Sequence, residues 1–173
     1  MKPVELFRFC PRCGIARVPD NHAQSPFRCG GCELVFYFNP TVAAAAFVYD
    51  SQGRVLLIRR EKEPSKGKLG VPGGFIDFGE SAEEGMRREV REEVGLELDR
   101  VRFLVSFPNI YHYREVTYPV VDLYFTALAV SPEQAQPLDA VVSVEWRLPH
   151  EIPDEEIAFP SMRVALRKLL EPT

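Results

Sequence analysis

Residues 74 to 96, GFIDFGESAEEGMRREVREEVGL, constrain this chain more than any other stretch. A glycine pair, Gly73-Gly74, follows Pro72 and marks a turn. Ser81 is a helix N-cap residue, and Glu84 three positions on completes a capping box with it. A helix is therefore expected over residues 82 to 94, with Gly95 as its stop. Glu89, Glu92 and Glu93 stand at i, i+3 and i+4 and share one face, with Gly85 one turn earlier on the same face. Ala82, Met86, Val90 and Val94 make a neighbouring apolar stripe that suits docking on a sheet.

That acidic face works against the helix. Each pair of like charges opposes it by roughly a few tenths of a kcal/mol, and a mid-helix glycine costs about 0.5–1 kcal/mol relative to alanine. A hard divalent cation reverses the first penalty, because Mg²⁺ prefers carboxylate oxygen. The glycine leaves room for a ligand or a loop beside the carboxylates. A solvated surface helix also mixes Glu with Arg, and Arg88 with Glu92 would be an ordinary i,i+4 pair. The spacing decides against that reading. Gly74, Glu80, Arg88, Glu89, Val90, Glu92, Glu93, Gly95 and Leu96 meet G-x5-E-x7-R-E-U-x-E-E-x-G-U, with U aliphatic. At ordinary residue usage chance produces this in well under roughly one chain in a million. The stretch resembles the signature of the Nudix hydrolases at every specified position.

The resemblance implies an α/β fold, a Nudix-like α/β/α sandwich with a mixed sheet, over residues 39 to 173. It also implies hydrolysis of a diphosphate that links a nucleoside to another group, with Mg²⁺ or Mn²⁺. Carried onto this sequence, the metal ligands would be Glu89, Glu92 and Glu93, with the Gly74 carbonyl beside them and Glu80 supporting the metal or a bound water. Arg88 would orient a carboxylate through a charge-assisted hydrogen bond. Glu89 is a candidate general base and Glu93 a further catalytic ligand. In many members the base lies outside this stretch, and Glu115 and Glu145 are then the candidates.

All four cysteines fall in residues 1 to 38, as Cys10-x2-Cys13 and Cys29-x2-Cys32 with fifteen residues between the pairs. That spacing fits a four-cysteine zinc ribbon, with Gly14 permitting the tight turn of the first knuckle. So little apolar sequence needs a staple, and structural Zn²⁺ is expected. Two disulfides are disfavoured in a cytosolic chain; iron fits the same ligand set, though zinc is the commoner occupant. Lys2, Arg8, Arg12, Arg17 and Arg28 are the basic residues here and form no cluster. The ribbon's expected work is structural: dimerisation or shaping a cleft.

A zinc ribbon before a Nudix domain resembles the NADH pyrophosphatase branch, which splits NAD(H) into nicotinamide mononucleotide and AMP. The chain departs from that branch in lacking its longer N-terminal region. Ser106-Phe107-Pro108-Asn109-Ile110 also does not reproduce the branch's S-Q-P-W-P-F-P-x-S motif. ADP-ribose is therefore at least as apt a substrate as NAD(H).

The 173 residues suit one domain with a small appendage. A net charge of −4 with no basic run argues against a large nucleic-acid surface. The longest apolar run, residues 42 to 49, is too short for a bilayer, and the N-terminus has no apolar signal region, so a cytoplasmic protein is expected. Asn39-Pro40 marks the boundary. Beyond it, residues 42 to 49 and 54 to 60 read as a hairpin over the Asp50–Gly53 turn. Residues 61 to 70 read as a polar loop with Lys62, Lys66 and Lys68 solvated. Residues 101 to 107 and 120 to 130 read as strands, joined by a loop over 108 to 115. In that loop Tyr111 and Tyr113 are candidates to stack on a base or to cover the core, with Glu115 and His112 beside them. A loop over 132 to 137, a strand over 141 to 146 with Trp146 in the core, and a helix over 161 to 170 capped by Ser161 complete the pattern.

The function expected is divalent-cation-dependent hydrolysis of an ADP-ribose or NAD(H)-like small-molecule nucleotide, water attacking phosphorus at a glutamate-bound metal cluster. The alternatives are a non-catalytic ADP-ribose- or NAD-sensing regulator and an RNA 5′-end pyrophosphohydrolase. A homodimer is implied by the resemblance alone.

Overall fold

The computed structural model describes residues 1 to 18 and 26 to 171. At the N-terminus two cysteine turns are backed by a two-stranded sheet, β1 (Phe27–Arg28) paired antiparallel with β2 (Val35–Phe36). Phe7 stacks among Phe27, Phe36 and Phe38 at centroid distances of 5.7, 5.0 and 4.8 Å. The unit is tied to the rest of the chain at its start: the Met1 amino group donates to the Glu115 carbonyl, and Thr117 N–H donates to the Met1 carbonyl, each at 2.8 Å.

The remaining strands form one mixed sheet in the order β5 (Leu69–Gly70), β4 (Val55–Arg60), β3 (Thr41–Tyr49), β8 (Val116–Ala129) and β7 (Leu98–Tyr113). Off that path β6 (Gly73–Phe75) pairs with β3, and β9 (Val141–Arg147) pairs with β4. Period-two alternation sends Ala44, Ala46, Val48, Leu56 and Ile58 to one face, where they meet α1 (Ala82–Val94). Phe47, Val55 and Leu57 go to the other, where they meet α2 (Pro160–Leu170). Strand β4 is covered on both faces, which is why it reads as a continuous apolar run. The α/β/α sandwich with a mixed sheet is therefore as expected.

Helix α1 forms as its sequence dictates. Ser81 Oγ accepts the Glu84 N–H at 3.3 Å, the Glu84 carboxylate accepts the Ser81 N–H at 2.8 Å, and Gly95 closes the helix at φ 72°. Met86, Val90 and Val94 are fully buried, each contributing about 1.5–3 kcal/mol. Trp146 packs against the same core.

Several local expectations are corrected. The hairpin of β3 and β4 holds only at its turn, where Tyr49 faces Val55. The strands then part, β3 running parallel to β8 over nine residue pairs and β4 antiparallel to β9 over six. Residues 108 to 113 are not a loop: they continue β7, and the turn falls at Arg114-Glu115. Tyr111 and Tyr113 are thus strand residues, paired with Tyr118 and Val116. Pro108 is tolerated because β7 is the sheet's edge, and Pro119 because β3 joins β8 only from Val120 onward. Helix α2 begins at Pro160 with Phe159 as its N-cap. Ser161 caps nothing and is buried, its hydroxyl turned inward to Asp122.

Candidate active site

The acidic face of α1 lies against the Gly73-Gly74 turn, and both glycines are required by contact. A Cβ on Gly73 would stand 2.3 Å from the Ala44 carbonyl oxygen, and one on Gly74 would stand 2.5 Å from the Glu89 carboxylate. Gly73 N–H donates to Glu93 Oε2 at 2.9 Å. Mid-helix Gly85 is explained in the same way. Its missing side chain admits Glu80, whose Oε1 lies 2.6 Å from where a Cβ would sit, and Ile76. A loop, rather than a ligand, uses that space.

Arg88 organises the carboxylates. Its Nη2 and Nε donate to Glu80 at 2.7 and 3.2 Å, its Nη1 donates to Glu89 at 2.8 Å and Glu92 at 3.1 Å, and its Nη2 also donates to the Phe75 carbonyl at 3.0 Å. The hydrogen bonds from Arg88 hold the Glu80 carboxyl below its ordinary range. Burial pushes Glu89 up despite Arg88. Glu93 is deeper: burial, helped by the nearby charges of Glu89 and Asp139, pushes it up to about 8 against the Gly73 N–H and Arg60. Two partly desolvated carboxylates side by side, with Arg88 paired directly to Glu89, suit a cation.

These groups open onto a cleft of about 450 Å³. Glu89, Glu93, Gly74 and Arg88 line one side, and Arg60 and Lys62 line it from β4 and the loop after it. Arg60 lies over the Phe159 ring at 4.9 Å and donates Nε to the Pro64 carbonyl at 3.0 Å. Tyr111 lies between Phe75 and Phe159, at centroid distances of 5.4 and 6.4 Å. Tyr113 lines the rim beneath Arg114.

Of the expected site residues, Gly74, Arg88, Glu89, Glu93, Tyr111 and Tyr113 line the cleft. Glu80 and Glu92 reach it through Arg88. Glu115 sits in the β7–β8 turn and Glu145 pairs with Arg147 at 2.8 Å and Arg59 at 3.5 Å; neither lines the cleft. Lys62, expected to be merely solvated, does line it, whereas Lys68 donates to the Glu155 carbonyl at 2.9 Å. Sequence reasoning missed Arg60, Asp122, Asn109, Asp139 and Phe159, which come from five separate segments and carry no common spacing. Asp139 is brought in by the loop before β9, whose Leu138 and Asp139 N–H groups donate to the Glu93 and Glu92 carbonyls at 2.9 and 3.4 Å.

The four cysteines bring their sulfurs within 4.8 Å of one another, the one such cluster among the described residues. Cys10 and Cys32 Sγ lie 3.6 Å apart and Cys13 and Cys29 Sγ 3.5 Å, near the ~3.8 Å edge of a tetrahedron with zinc–sulfur bonds. Arg12 N–H points at Cys10 Sγ and Gly31 N–H at Cys29 Sγ, both at 3.4 Å. Backbone N–H groups of Cys32 and Gly31 hold the Cys29 thiol down at about 6, favouring thiolate. The second knuckle repeats the first, with Glu33 at φ 58° where Gly14 stands at φ 74°.

An α/β/α sandwich carrying this glycine turn, arginine and glutamate helix defines a class of proteins. The NUDIX domain model matches residues 39–169, and the chain belongs to that family. It is 33% identical over 104 residues to the NAD-capped RNA hydrolase NudC of Vibrio vulnificus, covering 60% of this chain and 39% of that protein. It is 42% identical over 70 residues to an ADP-ribose pyrophosphatase of Methanocaldococcus jannaschii, covering 40% of each. The match thus spans well under half the length of either relative. A NUDIX hydrolase structure from Nitrosomonas europaea superposes with a TM-score of 0.69 at 26% identity, covering 92% of this chain and 88% of that one. No helix among the described residues is long and apolar enough to cross a membrane.

Proposed function

We propose that the protein is a cation-dependent diphosphohydrolase acting on a nucleoside diphosphate joined to a second group, of the ADP-ribose or NAD(H) kind. One observation carries the reading: a single cleft sets Glu89, Glu93 and the Gly74 backbone against the cations Arg60 and Lys62. A diphosphate needs both. Glu89, Glu92 and Glu93, with the Gly74 carbonyl, would hold Mg²⁺ or Mn²⁺, which neutralises phosphate oxygen and acidifies a water. Glu80 stays in support, because both its oxygens accept from Arg88.

The chain's own groups do the rest. Arg88 fixes the Glu89 and Glu92 carboxylates, so their approach to substrate needs little reorganisation. Arg60, propped on Phe159 and in no salt bridge among the described residues, turns its guanidinium to a phosphate. The proton of the attacking water goes to Glu89 or, outside the helix, to Asp139, which lines the cleft where Glu115 and Glu145 do not. Tyr111 and Tyr113 offer ring faces to the base. An NAD cap and ADP-ribose, the groups in the names of those two relatives, share an adenosine diphosphate, which supports that substrate class. A structural Zn²⁺ in the ribbon and a cytoplasmic home agree with four free, clustered cysteines.

The test is a panel of NADH, NAD, ADP-ribose, FAD, dinucleoside polyphosphates and 5′-capped RNA, assayed with and without Mg²⁺ or Mn²⁺. Cation-dependent release of a nucleoside monophosphate from one class is expected. Tight binding of ADP-ribose or NAD with no cleavage of anything would replace the enzyme by a sensor.

A further inference from the structure

The cleft has a polar feature that the diphosphate chemistry leaves unused. Asp122 lies on β8 facing Ala43 of β3, nine-tenths buried, and it lines the cleft. Its Oδ2 accepts from Ser161 Oγ at 2.5 Å and from Asn109 Nδ2 at 2.8 Å. Behind it the Tyr124 hydroxyl lies 3.0 Å from Ser161 Oγ. Asn109 is itself fixed, since its Oδ1 accepts the Ile110 N–H at 2.8 Å. Both of these side-chain donors therefore converge on one oxygen of Asp122, and Oδ1 receives neither.

A purely structural aspartate, clamping the start of α2 through Ser161, would need no more than Oδ2. The cleft that Asp122 lines also carries groups suited to a flat ligand. Ala43, Ala45 and Gly73 are small residues lining the same cleft, as are Tyr111 and Phe159, the latter beneath the Arg60 guanidinium. A planar ring entering there meets an aromatic face on its plane and a fixed carboxylate at its edge. A buried carboxylate welcomes a ligand edge only where that edge brings a donor, and on a planar base that donor is an N–H.

We infer that Asp122, held by Asn109 and Ser161, is the specificity residue for an amino-bearing planar ring, whose NH₂ donates to Oδ1 while Tyr111 covers its plane. The inference rests on the cleft being a nucleotide site, as proposed above, and deepens it. The amino group has two sources in the proposed substrates, the 6-amino group of adenine and the carboxamide of nicotinamide. Nicotinic acid presents a charge to the carboxylate where nicotinamide presents NH₂; hypoxanthine presents an acceptor at the 6-position and keeps only N1–H as an edge donor, displaced from where the 6-amino group stands.

The experiment is equilibrium binding to the full chain, by calorimetry, of two matched pairs: AMP against IMP, and nicotinamide mononucleotide against nicotinic acid mononucleotide. The wild-type protein should favour the amino member of one pair by about 10- to 100-fold, the range of a hydrogen bond to a charged group. The discriminating pair identifies the ring. In Asp122→Asn the amide oxygen takes over from Oδ2 and its NH₂ turns to the cleft, so the preference should vanish or invert. Should that variant not fold, Asp122→Ser is read instead, and the preference should be levelled. Equal binding within both pairs, a preference that survives either substitution, or no binding of any of the four overturns the inference. Hydrolysis is not read here, so failure of this subsite and failure of the proposed reaction remain separate results.

Discussion

Gly74→Ala isolates what the glycine turn does for the acidic helix. The backbone of Gly74 is not in the left-handed region, so alanine meets no conformational penalty there. The nearest group its Cβ would meet is the Glu89 carboxylate, with Cδ and Oε1 both at 2.5 Å. Ordinary contact begins at 3.4 Å, so the carboxylate must retreat by about 0.9 Å. It is held by Arg88 Nη1 at 2.8 Å, so retreat disturbs the arginine as well. A displacement of about 1 Å in catalytic geometry costs on the order of 100-fold in rate. Cation-dependent turnover should therefore fall by about two orders of magnitude, with the thermal midpoint moving by no more than about 4 °C. Steady-state kinetics on the best substrate, beside a melting curve, measures both. Wild-type turnover in a folded Gly74→Ala protein would refute the placement of Glu89 in the chemistry.

Other outcomes follow from the same contacts. Arg88→Lys should lower turnover at least 10-fold at constant fold, because one ammonium cannot serve Glu80, Glu89, Glu92 and the Phe75 carbonyl together; unchanged kinetics would contradict its role. With zinc in the ribbon as proposed, a chelator, or Cys13→Ser, should release about one equivalent of metal and unfold the ribbon, read by metal analysis and by exposure of Phe7 and Phe38. Glu33→Gly relieves a left-handed backbone at φ 58°, a net gain of roughly 0.5–1 kcal/mol, so zinc should be retained better in chelator competition; poorer retention would count against it. Asp50 is pushed up by burial, but the Arg54 and Gln52 N–H groups and the Arg54 guanidinium outweigh this and hold it below its ordinary value. A depressed folded pKa stabilises above the unfolded value and is lost as pH falls through the folded one. The stability gap between wild type and Asp50→Asn should thus be full near pH 7 and close in acid, and a gap that widened in acid would contradict the sign.

Local rules made α1 readable. The capping box, the glycine stop and the stripe of Met86, Val90 and Val94 each depend on neighbours within a few residues. The cysteine knuckles are local for the same reason, even to the turn position that Gly14 and Glu33 share. Residues 108 to 113 were misread because Pro108, Asn109 and His112 interrupt the apolar alternation of a strand. Only the long pairing with β8 overrides that local signal. The cleft's far wall was illegible on different grounds. Arg60, Asn109, Asp122, Asp139 and Phe159 meet only because β3 runs parallel to β8 and α2 returns across the sheet, and no sequence interval encodes that meeting. Ser161 shows the cost of local reading: it has a cap's residue type, yet Pro160 starts the helix one residue earlier and sends its hydroxyl to Asp122.

The most direct test of the proposed chemistry is the turnover of Glu93→Gln on the best substrate of the panel, with Mg²⁺ or Mn²⁺ saturating. Glutamine keeps the shape and the acceptor for Gly73 N–H, at 2.9 Å in the wild type, and removes the ability to ionise as a cation ligand. The proposal predicts a folded protein that still binds the nucleotide and has lost hydrolysis by several orders of magnitude. Hydrolysis at the wild-type rate would contradict it.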